Sequence, residues 1–200
     1  MKKIVFGYFL LFQTLVYGCA TCQLMTPTAE IELDLKIDDK KLKNTHTKWI
    51  FSTLYSDEML KQYDKNRNAK LDESELETIL KAMLDYLLVK NMLTKVQYAK
   101  REEDFSSELK PNYKNFNLKV VEGVLVFSYD SFVELEITEK LLLSFSFEDD
   151  ESFFNFSTSS LKVDSGDTQL HFEKNLYLFT ASLLFSYSAL ESEEVKEPKQ

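Results

Sequence analysis

From residue 28 to residue 51 apolar side chains fall on alternate positions, and from residue 52 onward they recur at every third or fourth position. No other feature constrains the fold as tightly, because period 2 fits a strand with one buried face and period 3.6 fits only a helix. Ile31, Leu33, Leu35 and Ile37 alternate with Glu30, Glu32, Asp34 and Lys36. Asp38-Asp39-Lys40 is a polar turn, and residues 42–51 read as the returning strand of a hairpin. In the helical stretch, Leu76, Ile79, Leu80, Met83, Leu84 and Leu87 mark one continuous apolar stripe, and no proline or glycine interrupts residues 52–91.

Strands resume near Met92, and Pro111-Asn112 marks a turn. Short apolar or alternating runs follow at 116–121, 124–129, 132–138 and 141–147, with Glu122-Gly123 and Asp130-Ser131 between them. Further runs at 153–157, 161–163, 169–172 and 176–186 make the second half rich in phenylalanine and mainly β. The expected architecture is α+β: an antiparallel sheet or sandwich carrying an inserted helical pair at 52–90 within one domain spanning 19–190. Residues 191–200 are charged, contain Pro198 and read as a disordered tail.

The twelve residues between the two helical runs are oxygen-rich. Calcium takes 6–8 oxygen ligands at ~2.3–2.6 Å, and a twelve-residue EF-hand loop supplies them from positions 1, 3, 5, 7, 9 and 12. Counted from Asp64, those positions hold Asp64, Asn66, Asn68, the backbone carbonyl of Lys70, Asp72 and Glu75. Position 8 is the apolar Leu71, and Met59, Leu60 and Tyr63 precede the loop where an entering helix packs on its partner. Position 6, ordinarily glycine because the chain bends there at positive φ, is Ala69. Lys65, Arg67 and Lys70 weaken the local negative potential, and no second such loop is present. The expectation is an EF-hand-like pair with a weak calcium site of ~10⁻⁴–10⁻³ M. The competing reading is a helix–turn–helix whose polar loop has lost its metal.

Residues 1–18 have the form of a secretory signal: Lys2 and Lys3, then an apolar run, then a small residue before Cys19. The segment 15–19 also has the form of a lipoprotein signal, in which Cys19 carries the lipid. Cys19 and Cys22 form a CxxC, for which three fates stay open: a disulfide, lipidation of Cys19, or a soft-metal site. The 24 basic and 33 acidic side chains give a net charge of −9, which argues against nucleic acid and anionic membranes as partners. Two histidines, four glycines and the lack of a Ser/His/Asp pattern or a phosphate-binding loop point away from an enzyme. The cluster Glu148-Asp149-Asp150-Glu151 reads as a solvated turn, Trp49 as core, and His46 as a surface or edge residue.

Several segments together carry a resemblance. They are Glu30-Ile31-Glu32-Leu33, His46-Thr47-Lys48-Trp49-Ile50-Phe51 with Tyr55-Ser56, the oxygen-rich loop, and Phe145-Ser146-Phe147-Glu148-Asp149 with Phe153-Phe154. On these the chain resembles a family of uncharacterised bacterial secreted proteins described as periplasmic components of an ABC-type transport system. Members often begin the mature chain with His-Pro-His, where this chain has Cys22-Gln23-Leu24. The resemblance implies an exported, periplasmic, non-catalytic accessory protein, linked through a membrane transport system to metal-ion uptake or homeostasis. The alternative is a lipid-anchored or surface interaction protein whose helical pair is only a scaffold.

Overall fold

The computed structural model describes residues 26–100, 106–138, 140–166 and 170–186. The expected signal segment, Cys19, Cys22 and the charged tail lie outside the described residues. Strands β1 (Thr28–Asp38) and β2 (Lys41–Phe51) form the hairpin that the alternation predicts, with Ile31 paired to Trp49 and Leu33 to Thr47. Helices α1 (Thr53–Tyr63) and α2 (Glu73–Leu87) follow. A tight turn at Asn91–Leu93 leads into β3 (Thr94–Ala99) and β4 (Ser107–Leu109). Strands β5 (Asn112–Val121), β6 (Val124–Glu136), β7 (Leu142–Phe147), β8 (Asn155–Asp164), β9 (His171–Tyr177) and β10 (Thr180–Ser186) complete the chain.

The strands form two five-stranded sheets, ordered β5-β6-β2-β1-β8 and β4-β3-β7-β10-β9. Every pairing is antiparallel except β1 with β8. Because side chains alternate across a strand, each sheet turns one apolar row inward, and both rows enter one buried cluster. In that cluster Phe147 of β7 meets Phe156 of β8, and the buried Thr94 hydroxyl lies 3.0 Å from the Tyr129 hydroxyl of β6. The architecture is therefore two mostly antiparallel sheets and two helices, with the helices placed between β2 and β3. No helix among the described residues is long and apolar enough to cross a membrane.

Local chemistry explains the helix boundaries. The Ser52 hydroxyl caps α1 by accepting the Tyr55 N–H. One turn on, the buried Ser56 hydroxyl accepts the Leu125 N–H at 2.9 Å and so fastens α1 to β6. Asp72 and Glu75 form a reciprocal capping box at the start of α2, each carboxylate accepting the other's N–H.

Two sequence boundaries are corrected. Asp130-Ser131 does not separate two strands, because β6 runs unbroken through both residues. Asp130 is satisfied across the sheet by His46 and Asn115, and the Ser131 hydroxyl donates to the Thr45 carbonyl, so neither needs solvent. The run at 176–186 is not one strand: the chain turns at Leu178-Phe179, whose exposed side chains hide the turn within an apolar stretch. The acidic cluster at 148–151 is a turn, yet it is more than solvated. Tyr86 of α2 donates its hydroxyl to Asp149 at 2.7 Å, and Lys90 pairs with Glu151.

The inward row gives a direct measurement. Leu33→Ala should lower the unfolding free energy by about 2–5 kcal/mol in a urea titration, whereas Glu30→Ala on the outward row should change it by about 0.5 kcal/mol or less.

Candidate metal centre

Residues 64–75 turn by successive side-chain caps. Asp64 ends α1, its N–H still bonded to the Leu60 carbonyl. Its two carboxylate oxygens accept the N–H groups of Asn68 at 3.1 Å and Ala69 at 2.8 Å. Asn66 Oδ1 accepts the Asn68 N–H at 3.0 Å, and Asn68 Oδ1 accepts the Lys70 N–H at 2.8 Å. Short Asp and Asn side chains that bond the backbone two residues on are the ordinary means of folding such a loop without helix or strand.

The return half is fixed by carboxylates. Asp72 Oδ1 accepts the Glu75 N–H and the Ser74 hydroxyl, and Asp72 Oδ2 accepts the Asn66 amide at 3.0 Å. Glu75 is buried, its Oε1 accepting the Lys65 N–H at 2.7 Å and its Oε2 the Asp72 N–H at 3.0 Å. Glu75 thereby ties the first turn of the loop to the first turn of α2. The Ser74 hydroxyl, and then the Glu75 amide, hold the Asp72 carboxyl below its ordinary value of 3.8.

The backbone bends where the spacing requires it. Ala69 has φ 60 and Arg67 φ 58, both in the left-handed region. Leu71 turns inward and packs against the core, as does Tyr63 before the loop and Leu76 after it. Ala69, Lys70 and Leu71 also face the end of the β5–β6 hairpin across a cavity of about 370 Å³, lined there by Val120, Gly123 and Leu125.

The structure thus brings Asp64, Asn66, Asn68, Asp72 and Glu75 into one hydrogen-bonded loop, with Lys70 joined through its N–H. Their oxygens serve backbone and side-chain donors. Among the described residues no three His, Cys, Asp or Glu side chains are grouped as metal ligands. The all-oxygen donor set and the left-handed bend at position 6 nevertheless match what a hard cation needs. An amide-bonded carboxylate also keeps acceptor capacity, having about four lone-pair sites. The Asp72–Glu75 capping box is the feature the ligand count passes over; it is written in the sequence as Asp72-x-x-Glu75 before an apolar stripe.

Comparison with known proteins returns no match: no family profile fits the chain, and no curated protein or solved structure is significantly similar to it.

The lowered Asp72 value sets a pH dependence. Its folded value lies below its unfolded one, so its ionisation stabilises the fold above the ordinary carboxylate range. That contribution is lost as pH falls through the lowered folded value. Asp72→Asn retains a capping side chain without the charge. Its melting temperature should fall below the parent's at neutral pH, and the gap should close as pH is taken down towards 2.

Proposed function

We propose that residues 64–75 hold a calcium ion weakly. Asp64, Asn66, Asn68, Asp72 and Glu75 supply side-chain oxygens, and Lys70 its backbone carbonyl, in an EF-hand-like pair that the ion steadies. The observation that carries this reading is the left-handed bend at Ala69. A β-carbon there costs on the order of 1–2 kcal/mol, yet the chain turns at that point and spaces its oxygen donors as a calcium loop does. Hard oxygen donors without a thiol or imidazole favour calcium over transition metals. Nearby Lys65, Arg67 and Lys70 put the affinity at the weak, extracellular end of the scale.

Around this site the protein is an exported, non-catalytic accessory component of metal-ion uptake or homeostasis in the bacterial periplasm. The signal-like N-terminus, the acidic net charge and the family resemblance support that role. The mass of the mature N-terminus, read from protein purified from its native compartment, tests the export step.

Calcium should raise the melting temperature, with a stabilisation of ~2.7 kcal/mol at one hundred times the dissociation constant. Glu75→Gln should remove the increase. Ala69→Gly should relieve the strained bend and raise the melting temperature without calcium, while keeping the calcium-dependent increase. A melting temperature indifferent to millimolar calcium in both the parent and Ala69→Gly would overturn the assignment.

A further inference from the structure

We propose that the outer face of the first sheet carries a separate, exchangeable site for a borderline divalent transition-metal ion of the zinc or nickel kind. His46 Nε2 and an Asp34 carboxylate oxygen are its protein ligands. Five residues, one per strand, form a row across that sheet: Lys114, Asp130, His46, Asp34 and Lys162, each directly paired with the next. His46 Nδ1 lies 2.7 Å from Asp130 Oδ1. The other oxygen of Asp130 accepts the Asn115 amide at 2.7 Å. Asn115 reaches it from a register shift in β5, where its φ is 57.

This relay has a chemical consequence. A carboxylate on Nδ1 makes that nitrogen the N–H donor of a neutral imidazole and leaves the Nε2 lone pair outward. Histidines that bind metals nearly always donate their second ring N–H to a carboxylate or carbonyl in this way. On the other side of His46, Asp34 has one carboxylate oxygen that is buried and without a hydrogen-bond partner among the described residues.

Directly opposed side chains on paired strands have β-carbons ~4.5–5.5 Å apart. One ion with bonds of ~2.0–2.2 Å to nitrogen and oxygen can bridge the two. Lys162 flanks Asp34 on the side away from His46, and two further lysines near the row are engaged elsewhere. Lys114 lies over the Phe132 ring, and Lys48 in the adjoining row is paired with Glu32. The His46 side chain is 37% exposed, so an ion reaches it from solvent. With two protein ligands the remaining positions fall to water, which makes the site labile where a closed four-ligand site is structural.

The test uses the full chain with Cys19 and Cys22 both replaced by serine, in excess calcium, so that neither the thiolates nor the loop takes up zinc. Zinc is titrated by calorimetry while the imidazole nitrogen resonances are followed. Before zinc, His46 should show the Nδ1–H tautomer, and its Nε2 resonance should move on titration. His46→Gln and Asp34→Asn should each weaken binding at least tenfold. Asp130→Asn, which only positions the ring, should weaken it by roughly 10–100-fold and disturb the tautomer. His171→Gln should leave zinc binding unchanged. Zinc that leaves the His46 resonances unmoved, or binds the His46→Gln and Asp34→Asn proteins as tightly as their parent, overturns the site.

Discussion

The indole of Trp49 is the contact through which the first sheet, the helical pair and the acidic turn hold one another. It is wholly buried and meets Phe51, Phe127, Tyr129, Phe154 and Phe156 edge-on, at ring distances of 4.9–6.4 Å. Such pairs contribute about 0.5–1.5 kcal/mol each beyond the area they bury. These rings come from β2, β6, β8 and the turn before β8. Phe154 also packs on Tyr86 of α2, and Phe51 on Tyr55 of α1. Shifting β2 by one residue would turn Trp49 to solvent and undo every one of these contacts, so the hairpin register governs the rest of the fold.

A second constraint lies beside it. Asn91, Met92 and Leu93 all have φ between 50 and 56, a left-handed turn built without glycine. The cost is ~1–2 kcal/mol per residue, and burying the Met92 and Leu93 side chains returns a comparable amount at ~1.5–3 kcal/mol each. Hydrogen bonds then fix the turn. Asn91 donates to the Thr94 carbonyl, Tyr113 donates to the Asn91 carbonyl, and the Thr94 hydroxyl donates to the Met92 carbonyl. Since the one Thr94 proton is spent there, Tyr129 must donate to Thr94. Burial keeps that proton in place by pushing the phenol up to about 12.

Where side chains repeat, the structure could be read in advance. The alternation at 30–37 and the stripe from Leu76 to Leu87 give β1 and α2 because each buries one face. Turns were less legible, for a physical reason. Asp38-Asp39-Lys40 and Glu122-Gly123 were readable as turns, but a chain of 200 residues with four glycines also places positive-φ positions on residues such as Met92, Leu93 and Lys140, which announce nothing. Polar pairs misled in the opposite direction. Asp130-Ser131 resembles a break, but its partners His46, Asn115 and Thr45 lie 15 to 86 positions away in sequence. The oxygen donors of 64–75 were visible as a spacing. That their carboxylates also bind the loop's own amides depends on how the loop closes, which no spacing records.

The surroundings of the helical pair bear on what a weak cation could accomplish there. The groove between α1 and α2, of about 360 Å³, is lined by Tyr55, Met59, Ile79 and Met83 and bordered by Phe153 and Phe154 of the acidic turn. The turn is fastened to α2 by the Tyr86–Asp149 hydrogen bond, by the Lys90–Glu151 pair and by the edge-on contact of Phe153 with Tyr86. A hydrogen bond to a charged group contributes about 1.5–3 kcal/mol, and an aromatic pair about 0.5–1.5 more; the exposed ion pair adds little. Binding in the millimolar range releases only ~4 kcal/mol in total. A ligand shifts a conformational equilibrium solely by the difference in its affinity for the two states. Prising the turn from α2 would consume most of what such an ion supplies, even if all of it were differential. A calcium ion held weakly at 64–75, as proposed, would therefore only brace the helical pair, and a sensor that exposes the groove would need a far tighter loop.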